Sequence, residues 1–244
     1  MKLGRILAAA TAVVALASGL ALAGPTGQIN IPSTDAKGLK EVTLSINNYA
    51  RFSSAADAGA NSYGLGVVTG LLPYEKVKIE VGADYTTSGV GSVYPFSFNA
   101  KLATAEDALF TWMPALAVGG YNLGTISAAL PQNVVYGLAA KTLPVVGRIS
   151  AGGYNGAEKA LGKKTNTGVL VSWDRTITEV SDKLWLGIDY MSGKNADGEV
   201  SFGGSWSFTK QVTLLAGITV PNPGQSALIG GKPSFTTQLS VNLP

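Results

Sequence analysis

The sequence contains no cysteine and no histidine. Without cysteine the chain can form neither a disulfide nor a thiolate nucleophile, and it has no residue for a cysteine-linked lipid anchor. Without histidine it lacks the usual general base of serine and cysteine hydrolases and the commonest zinc ligand. We therefore expect no catalytic residue, no cofactor-binding residue and no metal ligand, and we do not expect an enzyme.

Charged residues are also scarce. They make up 14% of the chain, whereas glycine occurs 31 times. An ordinary soluble domain has ~25% charged residues. Low charge and abundant glycine favour a chain that faces lipid on one side and water on the other. The formal net charge of +3 is too small to predict a nucleic-acid partner.

Residues 1–23 have the composition of a secretory signal peptide. Lys2 and Arg5 form a basic start, residues 6–22 carry no charge, and a small-x-small sequence ends at Ala23. The uncharged stretch is shorter than the ~20 residues that a membrane-spanning helix needs, which disfavours an N-terminal anchor. Cleavage after Ala23 would remove two basic residues and lower the net charge from +3 to +1.

One long uncharged stretch, residues 108–140, raises the alternative of a transmembrane helix. It contains Pro114 and Pro131, several glycines, and polar Asn and Gln residues. Such a helix would break and leave polar groups in the lipid. We interpret the stretch as two strands around a loop.

The rest of the chain alternates apolar and polar residues over segments of about ten residues separated by turns. Ile79 and Val81, for example, alternate with Lys78, Glu80 and Gly82. Successive side chains of a strand point to opposite faces, so each segment has one apolar face and one face of small polar, glycine or charged residues. The pattern predicts an all-β fold, a transmembrane antiparallel up-and-down β-barrel of about 12 strands, over residues 40–244. An extended segment, residues 24–39, precedes it.

The lengths of the connections alternate as well. Odd-numbered connections such as 52–61 and 155–166 are mostly long, whereas even-numbered ones such as 143–146 are mostly short. Outer-membrane barrels have short periplasmic turns and long outer loops, which this asymmetry matches. In one longer even connection, Thr104 and Asp107 have the spacing that can begin a helical turn.

A secreted, soluble β-sandwich is the alternative, because its strands also alternate. Aromatic residues favour the membrane. Phe202, Trp206 and Phe208 follow the apolar face of one segment, and Trp173 and Tyr190 lie near the ends of theirs. Aromatic residues at the edges of an apolar band are typical of membrane barrels. We expect the outer membrane as the location and its lipid as a partner.

The start of the mature chain reads Gly-Pro-Thr-Gly-Gln-Ile-Asn-Ile-Pro-Ser-Thr at residues 24–34. A glycine-rich second segment, then Leu-Leu-Pro at residues 71–73, follow it. Together they resemble small, uncharacterised, porin-like outer-membrane barrels of Gram-negative bacteria, with a weaker similarity to barrels associated with exopolysaccharide secretion. The resemblance covers about the first third of the chain; it implies a membrane barrel and assigns no active residue.

The C-terminal segment resembles the signal read by the barrel-assembly machinery. Phe235, Leu239 and Leu243 keep the apolar alternation of that signal. The chain ends in Pro244 instead of the usual aromatic residue. The resemblance implies the assembly machinery as a partner.

Charged residues on the predicted inward face are the candidate site. Four are basic and four are acidic: Lys78, Glu80, Asp84, Lys101, Lys141, Arg148, Asp174 and Asp189. They could line a pore and tune the passage of solutes. They could equally form a neutralising ion-pair network that fills a narrow barrel, because buried charges must be paired.

Two functions follow from these observations. The first is a passive, porin-like channel for ions or small solutes. The alternative is a non-conducting structural, adhesin-like or polymer-secretion-associated barrel that presents its outer loops. Residues 24–39 could cap the mouth of the barrel or enter its lumen, and the pattern does not decide between these positions. Nor does it predict an oligomeric state.

Overall fold

The computed structural model describes residues 25–55, 58, 61–87, 95–126, 131–223 and 232–243. The signal peptide predicted for residues 1–23 lies outside them. The described strands are β1 (Val42–Arg51), β2 (Ser62–Gly70), β3 (Val77–Thr87), β4 (Phe96–Thr104), β5 (Ala115–Leu123), β6 (Val134–Leu143), β7 (Gly147–Asn155), β8 (Thr167–Thr176), β9 (Leu184–Met191), β10 (Glu199–Ser207), β11 (Val212–Pro221) and β12 (Ser234–Leu243).

Each strand pairs antiparallel with its neighbour in the chain, and β12 pairs with β1 to close the barrel. The closing register runs from Val42 opposite Leu243 to Arg51 opposite Ser234. Closure satisfies the backbone groups that an open sheet would leave at its edges. The predicted all-β, antiparallel up-and-down barrel of about 12 strands is confirmed.

In the described part of the chain, one short helix, α1 (Glu158–Leu161), interrupts the connection between β7 and β8. No helix among the described residues is long and apolar enough to cross a membrane.

The two ends of the barrel differ in their connections. We call the end where β1 starts and β12 finishes the terminal end; it carries short turns such as residues 144–146 and 208–211. We call the other end the loop end; it carries longer connections such as residues 52–61 and 156–166. The short and long connections that alternate along the sequence therefore lie mostly at opposite ends of the barrel.

The prediction of a helical turn from the spacing of Thr104 and Asp107 is wrong. Residues 105–114 form turns and bends without a helix. Asp107 has a φ of 57°, in the left-handed region, and cannot continue a right-handed helical turn. The Thr104 hydroxyl instead accepts a hydrogen bond from the Leu116 backbone N–H across the β4–β5 pair.

The outer face of the barrel is apolar and exposed, as Val118 (58%), Phe98 (51%) and Ile188 (48%) illustrate. The inner face is mostly polar and buried, with Ser201 and Thr236 fully covered. This is the reverse of a soluble protein, in which exposed surface is polar and the interior is apolar. An apolar outer face is the arrangement that a lipid environment stabilises.

Strand β6 departs from the predicted orientation. Tyr136 and Leu138 are buried inside the barrel. Lys141, expected on the inward face, lies on the outer face opposite the exposed Ile149 of β7. The expectation for Lys141 is corrected because the apolar side chains of β6 find a partner inside: they belong to a buried cluster that includes Ile31 of the N-terminal segment.

Candidate functional site: the lumen and its N-terminal hairpin

The N-terminal segment enters the lumen. Residues 25–34, which we call the lumen hairpin, fold back on themselves through a bridge between Gly27 and Pro32. The Gln28 N–H donates to the Ile31 carbonyl at 2.8 Å and closes the turn. Ile31 is 2% exposed although no strand of the wall contains it.

The segment that follows the hairpin passes the wall at Gly70. Leu39 forms a parallel bridge with Gly70. A Cβ at Gly70 would lie 2.1 Å from the Gly38 carbonyl oxygen and 2.3 Å from that of Lys37. Only glycine allows the backbone to approach the wall this closely.

Asp189 of β9 holds the tip of the hairpin. Its Oδ2 atom accepts hydrogen bonds from the backbone N–H groups of Ile29, Asn30 and Ile31, at 2.8, 2.8 and 3.3 Å. Consecutive N–H groups that converge on one oxygen form a small anion-binding concavity, which here binds a carboxylate of the wall.

The Asn30 side chain links β10 to β1, which lie on the same side of the lumen with β11 and β12 between them. Its amide nitrogen donates to Glu199 at 2.6 Å and to Ser201 at 2.7 Å, both on β10. Its amide oxygen accepts a hydrogen bond from the Tyr49 hydroxyl of β1 at 2.6 Å. Gln238 of β12 adds a hydrogen bond to the Ile29 carbonyl at 2.8 Å. The tip is thereby bonded on several sides.

A buried ion pair holds the other part of the hairpin. Lys101 and Glu80 lie 3.4 Å apart, and both side chains are fully buried. Glu80 also accepts bonds from the Thr26 N–H and the Lys37 N–H, at 2.8 and 3.0 Å. Lys101 donates to the Thr26 carbonyl at 2.7 Å. The pair has further hydrogen-bond partners, which a buried salt bridge needs if it is to offset its desolvation.

A second ion-pair group lies between β7 and β8. Arg148 contacts Asp174 at 2.9 Å and Asp35 of the N-terminal segment at 2.8 Å. Asp174 also accepts hydrogen bonds from Gln28 at 2.8 Å and from the Trp185 indole at 3.2 Å. Each of these wall charges therefore bonds to another wall residue and to the N-terminal segment.

The structure brings five of the eight predicted site residues together around the N-terminal segment: Glu80, Lys101, Arg148, Asp174 and Asp189. Asp84 is buried on β3 and accepts a hydrogen bond from Asn99 at 2.7 Å. Lys78 is half-buried on the same strand. Lys141 pairs with Glu106 and Asp107 outside the lumen.

Sequence reasoning missed Glu199 and the hairpin contacts of Tyr49 and Gln238. On β10, Glu199 is two residues from Ser201 and six from Ser205, so its side chain points to the same inward face. The alternation of the sequence could have predicted this position. No comparable signal marked Asn30, because its role depends on where the hairpin lies.

A cavity of about 650 Å³ runs beside the hairpin. Its lining extends from Thr213 and Asn242 near the terminal end to Arg51 and Asp197 near the loop end. It follows β1, β10, β11 and β12. The other half of the lumen holds the apolar cluster and the ion pairs, so the barrel interior is divided into an open part and a filled part.

Within the described residues, no three acidic side chains converge as ligands for a metal ion. The lumen carboxylates instead accept hydrogen bonds from backbone, amide and cationic groups.

The sequence matches no family model and no curated protein. Among solved structures, the fold is similar to an outer membrane channel from Pseudomonas putida F1, with a TM-score of 0.54, 11% identity, and coverage of 88% of this chain and 100% of that chain. A Salmonella typhi OmpF complex aligns over 84% of this chain and 97% of its own, with 7% identity and a TM-score of 0.42. The first similarity shows that the two chains share the barrel fold.

Proposed function

We propose that this protein is an outer-membrane channel, a porin-like barrel that passes ions or small solutes passively. The observation that supports it is the polar cavity of about 650 Å³, whose lining includes residues near both ends of the barrel. A barrel that served only as a scaffold would gain by filling this space with packed side chains. The exposed apolar outer face supports a membrane location.

In this proposal the terminal end faces the periplasm and the loop end faces outward, the orientation that short turns and long loops have in outer-membrane barrels. Cleavage of residues 1–23 after export, insertion by the barrel-assembly machinery and contact with outer-membrane lipid belong to the same proposal. We assign no catalysis to the lumen, because Glu80, Asp174 and Asp189 are each engaged by several hydrogen-bond donors.

Planar-bilayer recording of the purified, folded protein tests the channel. We expect single-channel steps in potassium chloride, and larger steps after deletion of residues 25–34, because the hairpin occupies part of the cross-section. Absence of conductance above background from the unaltered protein, in several salts, would contradict the proposal.

The second candidate is a non-conducting structural, adhesin-like or polymer-secretion-associated barrel. The filled half of the lumen favours it, since Ile31 belongs there to one buried apolar cluster with wall residues such as Leu138 and Leu170. The two candidates differ in the same recording: a plugged barrel stays silent until residues 25–34 are deleted.

A further inference from the structure

Charge is distributed unevenly around the lumen. The inward residues of β3, β4, β7 and β8 include Glu80, Lys101, Arg148 and Asp174. The inward positions of β1, β10, β11 and β12 that line the cavity between its two ends are mainly hydroxyl and amide side chains: Ser45, Asn47, Ser205, Thr219, Gln238 and Ser240.

The charged residues of the cavity lie at its ends. Arg51, Asp197 and Glu199 line it at the loop end, and Lys37, Asp182 and Lys183 line it at the terminal end. A permeating ion would have to cross the middle of the cavity without a fixed counter-charge. An ion that sheds water there would lose part of its hydration free energy, and hydrogen bonds to hydroxyl groups would offset this cost only in part. A neutral solute has no such cost.

Hydroxyl and amide side chains both donate and accept hydrogen bonds, as the hydroxyl groups of a polyol or sugar do. The cavity volume of about 650 Å³ falls within the range of about 300–1,000 Å³ seen for small-molecule sites. We infer that the protein conducts small, neutral, hydroxyl-rich solutes, and that these travel along the β1 and β10–β12 wall, past the hairpin tip that bonds to Tyr49, Glu199 and Gln238. This inference rests on the proposed channel function and adds the solute class and the route.

The absence of native cysteine allows a direct test of the route. Ser45→Cys, Ser205→Cys and Ser240→Cys each place a single thiol on the cavity wall, where the serines are half-buried. Ser150→Cys and Ser172→Cys are matched controls, because these serines are 1% and 3% exposed and lie on β7 and β8 in the filled half. The reagent is a membrane-impermeant thiosulfonate that carries a sulfonate group.

The assay is swelling of proteoliposomes in glucose, gluconate or glucosamine, which are of similar size and differ in charge. We expect glucose to enter at least about three times faster than either ion, because the middle of the cavity has no fixed charge and a neutral solute has no ionic hydration shell to lose there. Labelling of the three wall thiols should lower glucose entry about threefold or more, whereas the controls should change little.

Three results overturn the inference. Entry of gluconate or glucosamine as fast as that of glucose, or faster, contradicts the solute class. Glucose entry that is unchanged after labelling of Ser45→Cys, Ser205→Cys and Ser240→Cys contradicts the route. In both cases the channel proposal stands, since solutes still enter. If neither conductance nor swelling is seen with any solute, the channel proposal fails and the inference fails with it.

Discussion

At the scale of single residues, Asp189 carries much of the hairpin's attachment. One buried carboxylate oxygen accepts three consecutive backbone N–H groups, those of Ile29, Asn30 and Ile31. Hydrogen bonds to a charged acceptor contribute about 1.5–3 kcal/mol each, more than bonds between neutral groups. The backbone of the tip is thus fixed by a side chain that is about 160 residues away in sequence.

Asp189→Asn should loosen this tip. The amide keeps the size of the carboxylate but removes its charge, so each remaining hydrogen bond weakens by about 1 kcal/mol. Hydrogen exchange measured by mass spectrometry should show faster exchange at residues 29–31. Asp84→Asn is the control, because Asp84 is equally buried and bonds to Asn99. Equal acceleration at residues 29–31 in both variants would contradict the assignment.

At the scale of elements, strand packing in the barrel depends on particular glycines. A Cβ at Gly152 of β7 would lie 2.0 Å from the Gly137 carbonyl oxygen of β6, which is well inside contact distance. A Cβ at Gly137 would meet its first neighbour, a methyl carbon of Val118, at 3.9 Å. Two glycines on neighbouring strands therefore differ in their tolerance of a side chain.

Gly152→Ala should destabilise the barrel, since β6 and β7 must separate to relieve the contact; overpacking of this kind costs about 1–3 kcal/mol. Gly137→Ala should leave stability unchanged or raise it by about 0.4–1 kcal/mol, because alanine restricts the unfolded chain. The urea midpoint of unfolding in detergent micelles measures both. A lower midpoint for Gly137→Ala than for Gly152→Ala would be inconsistent with this packing.

The connection between β9 and β10, residues 192–198, contains a pH-dependent group. Burial raises the pKa of Asp197 from its usual 3.8 to about 6. Gln132 donates to its carboxylate at 2.5 Å and partly offsets the effect. A raised pKa means that the folded loop favours the protonated acid. This contribution to stability is fully present below pH 3.8 and is lost as pH rises through about 6.

We expect the loop at residues 192–198 to exchange its amide hydrogens more readily at pH 7.5 than at pH 5, after correction for the intrinsic effect of pH. Asp197→Asn should remove the difference, because the amide does not titrate. A corrected exchange rate that falls as the pH rises would contradict this prediction.

At the scale of the whole molecule, the apolar outer face of the barrel is stabilised when lipid surrounds it. Ile188 lies on the outer face of β9 and is 48% exposed, whereas Val180 is 72% exposed in the connection between β8 and β9 at the terminal end. Both are exposed apolar residues, but only Ile188 is within a strand.

Ile188→Arg should destabilise the protein in lipid vesicles by about 2–4 kcal/mol, the cost of a charge near the middle of a bilayer, and Val180→Arg by about 0–1 kcal/mol. Denaturant unfolding from vesicles measures the difference. Equal effects of the two substitutions would argue against a membrane-spanning outer face.

The barrel followed from the sequence alone. Alternation with a period of two depends only on neighbours in the chain, so each strand and most faces could be predicted locally. Five of the eight predicted lumen charges lie around the N-terminal segment, because most charged residues within alternating segments avoid the lipid-facing side, with Lys141 as the exception. The lack of cysteine and histidine is a property of composition, and it limits the available chemistry whatever the fold.

The tertiary structure decided what fills the lumen. The local pattern of residues 25–34 does not show that their N–H groups bind Asp189 or that Ile31 joins a buried cluster with Leu138, since those partners are far away in the chain. The orientation predicted for strand β6 was wrong for the same reason: its inward apolar residues belong to a buried cluster that includes Ile31 of the hairpin and residues of other strands. The division of the lumen into a filled half and a polar cavity depends on contacts between distant residues, which only the closed barrel brings together.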